Sequence, residues 1–448
     1  MTHVHSNWDN SYNSTILHTD CYAGCNGITH IDNVKITAYE GDNGLDYVPL
    51  DWGGFGFDND YTSIYKVENI IGGTEYKFIE RTDIYGTFTI SWGDGITDKD
   101  STSHTYEKDG SYYIKFKSFI SPIHCGIRSL ITEVNKVSKY RTSPGSTADK
   151  PRYISIAPHG NLFQNGYNIK IIDLTNILSV EFNSLLNAFN GCQSLTTIIG
   201  ISEISTSKVT NMSSVFNGCS SLTSLDLSSW DVSEVTNMSD MFRGCKKWTD
   251  FSFMKSWDLS SVTSFNGVFS NSGISEFSGI VANNIKGHIN VCFQYCSNLT
   301  KVSYEGMNLI NVTGNFYIGF ISCSSLKEVS FKNTNLQVTS AYGMFQQCDL
   351  LETVDFTSCH FKYNSDSVAY NFRLTNSVKN IIFSENSFEG CSMVIINSTS
   401  LTVDSLLSLF NALVTISDSR TLNIGSANLA KLSSEQIKIA TGKGWTVV

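Results

Sequence analysis

Apolar residues return along this chain at a long, nearly fixed interval. From Val209, Val235, Val262 and Val338, the residue three later is Met212, Met238, Phe265 or Ala341. Six and seven later come Val215-Phe216, Met241-Phe242, Val268-Phe269 and Met344-Phe345, and ten later Cys219, Cys245, Ser272 or Cys348. Offsets of 0, 3, 7 and 10 lay one apolar stripe along a short helix or helical turn. Thr210-Asn211 and Thr236-Asn237 are suited to cap its first N–H groups. Gly218 and Gly244, just before the cysteine, are suited to the left-handed residue that stops it.

The other half of each unit follows the cysteine. Three, six and eight residues after Cys219 stand Leu222, Leu225 and Leu227; after Cys245, Trp248, Phe251 and Phe253. Cys296, Cys323 and Cys348 are followed at the same offsets by Leu299-Val302-Tyr304, Leu326-Val329-Phe331 and Leu351-Val354-Phe356. Alternation at the last two positions predicts a short strand. From Cys192 to Cys348, counting Ser272 as a substituted marker, the spacings are 27, 26, 27, 24, 27 and 25 residues. That period belongs to leucine-rich repeats. One unit cannot bury its apolar face alone, so units must stack. Strands about 4.8 Å apart opposite helices about 8–10 Å apart predict a curved solenoid with strands on the concave side. On this reading Leu225→Asp buries an unpaired charge and collapses the local stack.

The phrases VTNMSSVFNGCSSLTSLDLSSWDVS at 209–233 and VTNMSDMFRGC at 235–245 resemble the BspA-like leucine-rich-repeat surface proteins. The resemblance is specific over 205–273 and legible to about 395. It implies an extracellular binding protein, and related repeats occur in gut bacteria and in proteins of their phages. Near 273–290 the markers shift, and 357–390 is longer than one repeat.

The flanks differ. Alternating apolar residues in Gly86–Ile90, Trp92-Gly93-Asp94-Gly95, His104-Thr105-Tyr106 and Gly110–Phe116 predict paired strands joined by Gly/Asp turns. The WGDG and H-x-Y elements resemble a PKD-like, immunoglobulin-type β-sandwich. The expected organisation is therefore mixed α/β: an N-terminal β-rich or attachment region (1–64), the PKD-like sandwich (65–134), a linker (135–151), the solenoid (152–400) and a C-terminal cap (401–448). The linker reading rests on Ser143-Pro144-Gly145-Ser146 among Lys136, Lys139, Arg141 and Lys150. The cap reading rests on Val403, Leu406, Leu407, Phe410 and Leu413 at helical spacing, a capping box from Ser433 to Gln436, and a returning strand at Trp445–Val448.

Composition narrows the function. Net charge of −10 and the absence of a basic face argue against nucleic acid. No apolar run reaches the roughly 18 residues of a membrane helix, and Met1–His5 lacks the pattern of an export signal. Of 12 cysteines, Cys192, Cys219, Cys245, Cys296, Cys323, Cys348 and Cys391 fall nearly in register. They read as a buried column of small side chains rather than disulfides. Cys21 and Cys25 can pair or bind metal, but no second CxxC-like pair completes a zinc site. Asp94, Asp98 and Asp100 suit calcium chemically but read better as a solvent-facing turn. His3, His5 and His18 form no ligand pattern.

No nucleotide loop, metalloprotease helix or hydrolase elbow is present, so the chain reads as a non-enzyme with no cofactor and no metal. The expectation is a phage virion structural or host-attachment protein, exposed on the virion surface or at the tail or collar. Its partners are other virion proteins and a bacterial surface glycan or protein. The alternatives are a secreted or cell-surface bacterial adhesin and a purely structural virion scaffold. Homo-oligomerisation stays open, since no sustained heptad specifies it. Thr223, Ser224, Asp226, Lys327 and Glu328, outward on the strand side, are the candidate contacts. Trp52, Phe55 and Phe57, in a Gly-rich aromatic run, form a second candidate surface or a packed attachment segment.

Overall fold

In the computed structural model, the residues described are 62–78, 89–99, 101–117, 130–136, 140–142, 153–155 and, with short gaps, 161–448. Trp52, Phe55, Phe57, Cys21, Cys25, the three early histidines, Asp100 and Ala341 lie outside them. The chain forms two compact units. The first comprises residues to Ile120, His124–Ile156 and Ile172–Val180; the second comprises Ser121–Ile123, Ala157–Ile171 and Glu181–Val448.

In the first unit, β1 (Thr62–Ile70) lies between β6 (Gly110–Lys117) and β7 (Ile131–Lys136), antiparallel to both. β3 (Thr89–Ser91) pairs with β6 and, across the WGDG turn, with β4 (Thr97–Lys99). β2 (Glu75–Lys77) and β5 (Ser103–Thr105) form a separate antiparallel pair. Alternating apolar residues of β1, β3, β6 and β7 are buried, among them Tyr65, Val67, Ile90, Ile114, Phe116 and Val134. The segment read as a linker carries β8 (Tyr140–Thr142), antiparallel to β9 (Tyr153–Ser155). Its Ser143-Pro144-Gly145-Ser146 run lies outside the described residues.

β10 (Ile171–Asp173) and β11 (Thr197–Ile199) carry the first strand positions of the repeats. In the second unit, β12 (Glu276–Phe277), β13 (Lys301–Ser303), β14 (Glu328–Ser330), β16 (Thr353–Phe356) and β19 (Asn380–Phe383) form one parallel sheet. Its register matches equivalent residues: Val302 to Val329, Val329 to Val354, Val354 to Ile381. β15 (Gln337–Val338) and β17 (His360–Phe361) pair in parallel within the same coils. The two repeats that spell the pattern best form no strand here. Residues 223–227 are irregular, Leu225 is half-buried while Leu222 and Leu227 are buried, and Ser252–Ser256 is a 3-10 turn that leaves Phe253 half-buried. The Leu225→Asp expectation is corrected accordingly: an aspartate there keeps part of its hydration, and Leu222 is the position that cannot.

The segments expected to be helices are not helical. Ser214 and Asp240 hold positive φ of 57° and 55°, which an α-helix of L-residues cannot contain. Their N–H groups instead reach the next coil. Met212, Ser214, Phe216 and Gly218 donate to the carbonyls of Asn237, Ser239, Met241 and Arg243 at 2.7–2.9 Å. Ser184, Asn211, Asn237 and Ser264 bridge in sequence, so Asn211 and Asn237 are ladder positions rather than helix caps. Gly218 and Gly244 are left-handed as expected, with φ of 77° and 73°. With backbone ladders on this side, the helix-against-strand spacing that motivated curvature does not apply.

Between the ladders runs a column of phenylalanines. Phe163, Phe189, Phe216, Phe242, Phe269, Phe293, Phe320 and Phe345 stack with centroids 5.4–5.9 Å apart and ring planes within 19° of parallel. A second column follows the strands through Tyr304, Phe331, Phe356 and Phe383 at 5.1–5.6 Å.

The C-terminal segment closes the sheet edge. α1 (Val403–Ala412) is capped by Thr402, whose side chain accepts from the Ser405 N–H. On it, the Ser405 and Ser408 hydroxyls accept the N–H groups of Ile381 and Phe383 at 3.0 and 3.1 Å, taking edge donors of β19. β18 (Tyr370–Phe372), β20 (Met393–Ile396), β21 (Arg420–Asn423) and β22 (Trp445–Val447) form a parallel sheet in that order. α2 (Ser426–Leu429) and α3 (Ser434–Thr441) connect its last two strands, α3 starting at the Ser433–Gln436 capping box.

Candidate functional site

The chemically richest side chains are the buried thiols, and their geometry is structural. All nine cysteines among the described residues are free and buried. Each column thiol donates to the carbonyl of the stacked phenylalanine one coil earlier. Cys192 reaches Phe163, Cys219 Phe189 and Cys245 Phe216, at 3.1–3.2 Å. Cys296, Cys323 and Cys348 reach Phe269, Phe293 and Phe320 at 2.9–3.0 Å. The Phe189 carbonyl also accepts the Cys192 N–H, so the thiol of Cys219 occupies its second lone pair. A cysteine fits because it is small, apolar and carries one weak donor. Burial pushes the Cys192 thiol up to about 12 and that of Cys219 well above its ordinary value, the reverse of what a nucleophile needs. Cys391 makes the same bond to Phe361 at 3.2 Å in a later coil.

The acidic turn of the first unit is also occupied internally. The Asp94 carboxylate meets His104 Nε2 at 2.7 Å, and Asp98 accepts from the Trp92 indole N–H at 2.8 Å. The His104 ring stacks on Trp92 at 4.9 Å, and the Tyr106 hydroxyl donates to the Trp92 carbonyl at 3.1 Å. Burial by itself raises the Asp94 carboxyl, but bonds from His104 and the Ile96 N–H carry it below its ordinary value. The WGDG and H-x-Y elements thus clasp each other through Asp94 and Trp92, while residues 93–97 of the turn remain exposed. Among the described residues no group of three or more His, Cys, Asp or Glu is placed to hold a metal ion.

The outward candidates do not converge. Thr223, Ser224 and Asp226 are exposed on irregular chain, and Asp226 is held in its own turn by the Ser228 hydroxyl and N–H at 2.6 and 3.1 Å. Lys327 is exposed just before β14, its N–H donating to the Thr300 carbonyl at 2.9 Å. Glu328, half-exposed on β14, pairs with Lys301 at 3.2 Å. The row Glu276, Lys301, Glu328, Thr353 and Asn380 shares one register across the sheet. It mixes both signs and neutral groups.

Residues 267–375 match the family model described as BspA type leucine rich repeat region, in six copies. Over this stretch the chain is similar to BspA-type leucine-rich repeats. Over it the chain is built of stacked strands and turns. Residues 160–284, which contain the most regular ladder, match a family described as Mycoplasma protein of unknown function, DUF285. A leucine-rich repeat protein from Bacteroides ovatus is similar at 13% identity over 71% of this chain and 94% of that one, with a TM-score of 0.19. A leucine rich cell surface protein from Faecalibacterium prausnitzii is similar at 14% identity over 63% and 88%, with a TM-score of 0.23. Superpositions that loose carry no functional argument. No curated protein matches the chain.

Proposed function

We propose that this chain is a non-enzymatic binding protein of the bacterial surface or its secreted fraction, an adhesin-like module that presents a repeat-built surface to a protein or glycan. The observation that carries this reading is the BspA-type repeat itself: a stack whose polar backbone groups and thiols are consumed internally, leaving outward side chains as its chemistry. The phage virion placement gains no comparable support, whereas both matching family models are consistent with a bacterial protein. No helix among the described residues is long and apolar enough to cross a membrane.

In this reading the β-rich front, with its immunoglobulin-type resemblance, spaces or presents the repeats. Thr223, Ser224, Asp226, Lys327 and Glu328 remain proposed contacts, as does the Trp52, Phe55 and Phe57 run. The test is binding of purified full chain to intact target cells, with competition by isolated surface glycans and by protease-released surface proteins. Antibody labelling of intact, unpermeabilised source cells checks the location. Absence of labelling together with absence of cell binding, for protein that is correctly folded, refutes the reading.

A further inference from the structure

The turn before each cysteine holds one residue in the left-handed region, and the chain fills that place in two ways. Gly191, Gly218 and Gly244 hold φ of 79°, 77° and 73°, whereas Asn271, Tyr295, Ser322 and Gln347 hold 57°, 63°, 61° and 62°. Asparagine visits this region readily, but a bulky aromatic residue does so only under constraint. Tyr295 cannot relax, because its N–H donates to the Ile321 carbonyl at 2.9 Å and its carbonyl accepts from the Ser297 N–H at 3.1 Å. The fold gains nothing visible in return. The residue is 50% exposed, and among the described residues its side chain has neither a hydrogen-bond partner nor a ring contact. The turn itself is met equally well by glycine in three coils, so the tyrosine side chain is not there for the turn, and strained residues of this kind cluster at working surfaces.

Its neighbours on this ridge are neutral. Asn271 precedes it by one coil; Ser322 and Gln347 follow, joined to each other through the Ser322 hydroxyl and the Gln347 side chain. Gln294 and Gln346 stand one residue earlier in their turns. An open aromatic face flanked by side-chain amides and hydroxyls, without a charge, matches the apolar face and hydroxyl edge of a sugar. A protein hot spot would instead favour arginine, tryptophan and a desolvated pocket.

We propose that this ridge is a carbohydrate-contact surface, with Tyr295 stacking on a neutral pyranose and Asn271, Ser322 and Gln347 taking its hydroxyls. This rests on the binding reading above and names its site and ligand class. The test uses the full chain, Tyr295→Gly and Tyr295→Phe on an array of immobilised neutral hexose and N-acetylhexosamine oligosaccharides. Wild type and Tyr295→Phe bind alike; Tyr295→Gly binds at least about tenfold more weakly with an unfolding midpoint no lower than wild type. Wild type binding none of the array, Tyr295→Gly binding as wild type, or a lowered midpoint in Tyr295→Gly each overturns the proposal. Cell binding that survives Tyr295→Gly leaves the broader binding reading standing while this ridge falls.

Discussion

Phe242→Ala tests what holds the coils together. Phe242 is fully buried, with its ring between Phe216 at 5.8 Å and Phe269 at 5.9 Å and close to Phe251 at 5.0 Å and Trp248 at 5.3 Å. Truncation removes the transfer free energy of the ring and leaves a cavity. The walls of that cavity cannot easily collapse, since the N–H groups of Phe216 and Phe242 are fixed to the next coil at 2.9 Å each. Core Phe→Ala changes cost about 3–5 kcal/mol. The rigid walls and two broken stacks place this one in the upper half of that range. In a stack where each coil touches only its neighbours, the loss weakens the interfaces on both sides. Urea unfolding followed by the fluorescence of Trp230, Trp248 and Trp257 reports on these coils, with half-buried Leu225→Ala as a comparison expected to cost about 1 kcal/mol. If Phe242→Ala costs no more than Leu225→Ala, the ring column contributes little and the backbone ladders alone hold the stack.

Other outcomes follow from the same geometry. A thiol whose folded value is raised stabilises fully below its unfolded value and loses that contribution as pH rises toward the folded one. Stability should therefore fall between about pH 9 and 12, and Cys192→Ala should reduce the slope by up to about 1.4 kcal/mol per pH unit; an unchanged slope counts against the buried-thiol assignment. Asp94→Asn should cost the first unit about 1–3 kcal/mol at pH 7. Because the Asp94 carboxyl is lowered in the fold, its contribution is present above the ordinary carboxylate value and lost as pH falls, so the deficit should shrink in acid. A deficit independent of pH in thermal melts would point to packing instead. Gly244→Ala, with φ of 73° and an added Cβ 3.3 Å from Gly218 Cα, should cost about 1–2 kcal/mol, and a neutral result in urea melts would contradict the left-handed assignment. Deletion after Ser400 opens the β19 edge that Ser405 and Ser408 cap and should give aggregates on size exclusion. A soluble, cooperatively unfolding truncation would contradict the capping role.

The sequence by itself determined several features that identity and spacing suffice to place, though not the turn at Thr210-Asn211 or the chain path after Cys219. The period, the cysteine column, left-handed Gly218 and Gly244, the Ser433–Gln436 capping box and the returning strand at Trp445 all belong to that class. Apolar offsets of 0, 3, 7 and 10 could not distinguish a helix from a folded turn, since both bury the same residues. The one local hint was the run of small polar residues at Asn187, Ser214 and Asp240, all left-handed in the structure. What only the tertiary structure decided is where N–H groups and side-chain donors go when their acceptors lie a whole coil away in sequence. Met212 reaching Asn237 and Cys219 reaching Phe189 are separated by 25 and 30 residues. Tyr295 belongs with them: only its backbone angle, its exposure and the lack of a side-chain partner among the described residues made it a candidate site.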